Sequence, residues 1–109
     1  EMTGCYLKFY VTEKLRHRHV LAYEWLLKEG RAFGLHGGSA FRALAGFGRH
    51  GQMHEDHFFE LAGELPVEVG FVTSRDEADR FLAHIAAEGL DLFYLRVPVE
   101  AGFTGAGGD

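Results

Sequence analysis

The chain has 109 residues, 47% of them hydrophobic, ten of them Phe, with a formal net charge of −5. That length suits one domain, and the acidic balance argues against a general nucleic-acid binder. A single cysteine, Cys5, excludes an internal disulfide and a zinc site built mainly on thiolates. No apolar run approaches the ~20 residues needed to span a bilayer and no signal-peptide pattern is present, so a cytoplasmic chain without direct membrane insertion is expected.

Residues 5–12 alternate, with Cys5, Leu7, Phe9 and Val11 on one side and Tyr6, Lys8 and Tyr10 on the other, which predicts a half-buried strand. Lys14, Arg16, His17, Arg18 and His19 form a basic cluster. Such a run is most often solvated loop; reception of an anion or an acidic partner is the alternative. Residues 20–33 suit a helix whose face carries Tyr23, Leu26, Leu27, Gly30 and Phe33, with Gly34 at C′. Gly30 is costly inside a helix and predicts close packing on a neighbouring backbone.

Gly37 and Gly38 open a second strand, roughly 38–46, followed by a loop, 47–65. Pro66 permits an edge-like strand start, and Val67, Val69 and Phe71 continue the strand. Ser74 and Glu77 have capping-box spacing and start a helix whose apolar face is Ala78, Phe81, Leu82, Ile85 and Ala86; Gly89 stops it. Residues 90–99 read as a last strand ending at Pro98. The order β-α-β-β-α-β is the ferredoxin-like split unit, an α+β fold with two helices on one face of a four-stranded antiparallel sheet. Residues 1–101 are expected to form this domain, and 102–109 a flexible glycine-rich tail.

The other sheet face is expected to carry Tyr6, Lys8, Tyr10, Arg42, Glu68 and either Tyr94 or Phe93. It is either a solvated face or a subunit interface with paired charges. In 45–51, Ala-Gly-Phe-Gly-Arg-His-Gly, the glycines Gly46 and Gly48 let backbone N–H groups approach a phosphate, and Arg49 adds a forked cation.

The order of elements, together with Trp25-Leu26-Leu27, Gly37-Gly38-Ser39-Ala40-Phe41-Arg42, Gly46-Phe47-Gly48 and Leu65-Pro66-Val67, resembles the PII signalling proteins. The nearer resemblance is to a small PII-like branch labelled as a domain of unknown function. It implies a homotrimer with an adenine nucleotide between subunits, contacted by Gly38, Ser39, Gly46, Gly48 and Arg49. Arg42 and Arg96 either join that site or pair with Glu68 across the sheet. The second glycine-rich segment of ordinary PII proteins is reduced here to Glu88-Gly89-Leu90-Asp91, which implies ADP or AMP in preference to ATP. Between Arg49 and Leu65 there is no Tyr, Ser or Thr to modify.

On a helical turn His50, His54 and His57 would share one face and could hold zinc, nickel or copper; otherwise they are unliganded loop histidines. No nucleophile elbow or P-loop occurs, Cys5 reads as packing, and Glu24 and Glu60 have no visible acid–base partner. The expectation is therefore a non-enzymatic regulatory protein that signals through loop 47–65 to a target such as a membrane transporter, as the resemblance implies. The rival is a divalent-metal-binding trimer of the cation-tolerance type using the loop histidines. A small enzyme on the same scaffold is a third reading.

Overall fold

The computed structural model describes residues 2–47 and 65–105. The alternating segment becomes β1 (Met2–Thr12), which buries Leu7, Phe9 and Val11 and leaves Tyr6, Lys8 and Tyr10 half-buried. Two short strands follow, β2 (Arg16–His17) and β3 (Val20–Leu21), then α1 (Ala22–Ala32). Next come β4 (Gly38–Arg42), β5 (Pro66–Thr73), α2 (Arg75–Ala87) and β6 (Phe93–Ala101). The four longer strands form one sheet in the order β4-β5-β1-β6, with every neighbouring pair antiparallel. This is the α+β, ferredoxin-like arrangement that the order of elements predicts.

One core lies between sheet and helices. Leu7 and Phe9 of β1, Val69 and Phe71 of β5, Leu26 of α1 and Phe81 of α2 are at most 2% exposed. Phe9, Phe71 and Phe81 meet edge to face, with ring centroids 5.4–6.4 Å apart, the geometry aromatic quadrupoles favour. Gly30 lies against the ring of Phe71, not against backbone: a Cβ there would stand 2.4 Å from Phe71 Cε1.

The helix ends follow their local chemistry. Ser74 and Glu77 form the reciprocal capping box at the start of α2. Gly34 and Gly89 close the two helices with φ of 83° and 81°, where a Cβ would be penalised. The expected helix 20–33 starts two residues later because Val20 and Leu21 pair back onto Arg16 and His17. The basic stretch is thus a hairpin and not an irregular loop.

Several strand boundaries differ from expectation: β1 begins at Met2 and β6 only at Phe93. β4 ends at Arg42, short of 46, and Leu44 beyond it is 95% exposed. β6 runs through Pro98 to Ala101. A strand on the sheet edge has a free side, where a missing N–H costs no ladder bond.

The face assignment of Arg42 also needs correction. Gly38 stands opposite Phe71, so Ala40 faces Val69 and Arg42 faces Val67 on the helix side. A Cβ at Gly38 would come within 2.7 Å of the Phe71 ring, so bare backbone suits this register. It is Phe41 that lies across from Glu68 on the open face. Tyr94 pairs with Phe9 and Phe93 with Tyr10, so Phe93 is the open-face residue. With a side-chain period of two, a one-residue offset changes the face of every residue.

Candidate functional site

β4 carries three of the sequence-predicted residues, Gly38, Ser39 and Arg42. Arg42 does not reach Glu68. Its Nε lies 3.0 Å from Glu13 Oε1, just beyond the end of β1. The backbone N–H of Glu13 donates to the Leu65 carbonyl at 2.9 Å, and that of Ala43 donates to Pro66 at 2.9 Å. The second bond ties the residue after β4 to the start of β5, and the first ties the residue after β1 to the residue before β5. Gly46 lies beyond β4, outside the sheet. Gly48, Arg49, His50, His54 and His57 lie outside the described residues.

Arg96 is on the other edge strand, β6, opposite Leu7 and so on the helix side. It donates from Nη1 to Asp79 Oδ1 of α2 at 2.8 Å, and this partner holds the guanidinium above its ordinary pKa. Glu68 instead pairs with Lys8 at 3.2 Å. The proposed ion pair of either arginine with Glu68 is therefore not what forms. Strands β5 and β1 separate Arg42 from Arg96. Three strand spacings amount to ~14 Å, so the two arginines do not meet within one chain.

At the head of β4 lies a cavity of about 520 Å³. It is lined by the apolar side chains of Leu27, Leu35 and Phe71, by the basic side chains of Lys28, Arg31 and His36, and by the bare backbone of Gly37 and Gly38. His36 Nε2 lies 3.2 Å from Glu77 Oε1. Glu77 also accepts from the Thr73 hydroxyl at 2.6 Å, the Ser74 hydroxyl at 2.9 Å and the Ser74 N–H at 3.2 Å. The Thr73 hydroxyl, then the two Ser74 donors and the His36 charge, hold its carboxyl down at about 2. An apolar lining with a few charged groups suits a ligand that has a flat apolar part and a negative one. Sequence reasoning missed Lys28, Arg31 and His36. The one-turn spacing of the first two, just before Gly37, was the available signal.

The open face is a second feature of functional weight. Lys8 Nζ sits 5.7 Å from the ring centroids of both Tyr6 and Tyr10. Burial pulls its pKa down, but the Glu68 hydrogen bond and charge, with Tyr10, outweigh that and leave it raised. Around this group Phe41, Phe93 and Val97 are 62%, 53% and 44% exposed. Among the described residues no group of His, Cys, Asp and Glu stands in a metal-binding arrangement, and no helix is long and apolar enough to cross a membrane.

Known proteins share this fold. Residues 4–91 match the family DUF190, described as "Uncharacterized ACR". A "UPF0166 protein" of Aquifex aeolicus is 35% identical over 63 residues, which is 58% of this chain and 60% of that protein's length. Among solved structures, one similar fold is CPII of Thiomonas intermedia K12, a nitrogen regulatory PII-like protein bound to ADP, AMP and bicarbonate. It superposes with a TM-score of 0.56 at 12% identity, over 94% of this chain and 98% of that one. Another is a putative PII-like signaling protein of Thermus thermophilus, with a TM-score of 0.53 and 20% identity over 89% and 91% of the two chains. The chain belongs to the DUF190 family and has the PII-like fold.

Proposed function

We propose that this protein is a non-enzymatic PII-like regulator: a homotrimer that binds ADP or AMP between subunits and signals through loop 47–65 to a target protein. The observation that carries the reading is the placement of the two arginines. Arg42 and Arg96 lie on opposite edges of one sheet, so a ligand that touches both must lie between two chains. The cavity beside Gly38 offers an apolar seat for a base and cations for its phosphates. The open face, with its exposed aromatics and central Lys8–Glu68 pair, has the composition of a subunit interface. The fold neighbour bound to ADP, AMP and bicarbonate gives the ligand class. Gly48 and Arg49 supply bare backbone and charge to the phosphates in this reading. Nucleotide binding alters the loop only through a difference in affinity for two loop states.

Titration calorimetry with ADP, AMP and ATP, in the presence of chelator, tests it. Binding of ADP or AMP is expected, weakened by Gly48→Val through steric exclusion and by Arg49→Ala through loss of a charge-assisted contact worth about 1.5–3 kcal/mol. Unchanged affinity in both variants, or a monomer by light scattering at micromolar concentration, overturns the reading.

A further inference from the structure

The hairpin of β2 and β3 has no part in the nucleotide reading, yet it is held more firmly than a solvated loop requires. Its two turn residues, Arg18 and His19, both have positive φ, 52° and 71°. This is the type I′ geometry that matches strand twist, and it ordinarily calls for Asn-Gly. Here neither residue is glycine, so the turn depends on contacts around it. Arg16 Nη1 donates to the His19 carbonyl at 3.0 Å. Arg18 grips Glu88, past the end of α2, with Nε at 2.7 Å and Nη2 at 3.3 Å. His17 Nε2 lies 2.8 Å from the same carboxylate, and its ring meets Trp25 edge-on at 4.6 Å.

The surface so fixed is basic. Lys14, Arg16, Arg18 and His19 are exposed, in a chain whose net charge is −5. Among the described residues, the adjoining carboxylates Glu13 and Glu88 are engaged, the first by Arg42 and the second by Arg18 and His17. Between the cations Leu15 and Val20 are 37% and 38% exposed.

We propose that hairpin 13–21 is a docking element for an acidic peptide segment in which carboxylates alternate with apolar residues. The basic residues spread along a ribbon, and none of them lines the cavity beside Gly38, which suits an extended chain better than a small anion. Guanidinium forks match carboxylates, and Glu88 already shows one seated by Arg18. The turn carries no Trp, Tyr or Phe to anchor it in a membrane interface, and the acidic balance of the chain opposes nucleic acid. A preorganised ribbon loses little freedom on docking, which gives the Glu88 clamp a purpose beyond the fold.

Fluorescence anisotropy of a short labelled peptide of alternating glutamate and leucine, with the full chain at low salt, tests this. The peptide should bind, more weakly as salt rises, while its lysine–leucine counterpart should not. Lys14→Glu should weaken binding about fivefold, the scale of one surface charge contact. Arg16→Ala removes a second cation together with its bond to the His19 carbonyl, and should weaken binding about threefold by the same measure. Circular dichroism and Trp25 fluorescence confirm that each variant is folded. The proposal is overturned if the acidic peptide does not bind, if folded Lys14→Glu binds it equally, or if both peptides bind alike. Binding of phosphatidylserine vesicles without binding of the peptide also overturns it, in favour of a lipid surface.

Discussion

Under the helices Leu7, Phe9 and Val69 are at most 1% exposed, whereas on the other side of the same sheet Phe41, Phe93 and Val97 keep 62%, 53% and 44% of their surface. Both faces come from the same period-two alternation, and both are rich in aromatics. They differ in what covers them. Two amphipathic helices supply Leu26, Ala78, Phe81 and Ile85 to the first face. Among the described residues the second has only its own Tyr6–Lys8–Tyr10 stack, with Glu68 on the lysine. Among the described residues one face is thus buried and the other keeps exposed apolar area, which the trimer proposal uses for association.

Truncation on each face sharpens that contrast and gives the largest expected effect. Phe9→Ala removes a ring touching Phe71 and Phe81 and should cost about 3–5 kcal/mol by urea denaturation. Phe93→Ser on the open face should move the stability of the isolated chain by no more than about 0.5 kcal/mol, while lowering the mass seen by light scattering. Equal losses of stability from both substitutions would mean that the open face is part of the folding core. An unchanged mass after Phe93→Ser would remove that face from the proposed trimer.

A smaller effect tests the polar border between the helix-covered face and the cavity. The Glu77 carboxyl, held at about 2 chiefly by the Thr73 hydroxyl, has a folded-state pKa below its unfolded value near 4.5. Its contribution is therefore complete above the unfolded value and is lost as pH falls from there towards 2. Glu88, held at about 2 by Arg18 and then His17, acts in the same direction. Urea midpoints should fall over that acid range in the native chain. Glu77→Gln keeps a capping-box side chain but removes the charge, so it should cost about 1 kcal/mol at neutral pH and flatten the acid slope. An unaltered slope would show that Glu77 is not a principal source of it.

How much the sequence revealed follows the same division. Alternation in residues 5–12, the Ser74–Glu77 box and the glycines after each helix are local signals, and each produced the element expected. The register of β4 is not local. It depends on Gly38 making room for the Phe71 ring, whose position is set far along the chain, and so Phe41 and Arg42 exchanged faces. The ion partners were hidden for the same reason. Glu13, Asp79 and Glu88 become partners of Arg42, Arg96 and Arg18 only after the chain has turned back on itself. In the hairpin, positive φ at Arg18 and His19 breaks the residue preferences from which such a turn is normally read.

The smallest effect concerns the sheet edge that the proposed site would share with a second chain. Arg96 is 29% exposed and held by Asp79, itself 61% exposed. A phosphate that uses Arg96 must compete with this carboxylate. Asp79→Asn removes the competing charge and leaves a side chain of the same shape, so it should cost little stability, as an exposed pair is worth only about 0.2–1 kcal/mol. The same energy, returned to the ligand, should tighten ADP or AMP binding about two- to threefold by calorimetry. Arg96→Ala should weaken binding in both the native and the Asp79→Asn background. Tighter binding in Asp79→Asn that disappears with Arg96→Ala would place Arg96 against the phosphates. Weaker binding in Asp79→Asn would instead make Asp79 the group that holds Arg96 in position. Equal affinity in all the variants would remove the β6 edge from the site and leave the β4 edge to bind alone.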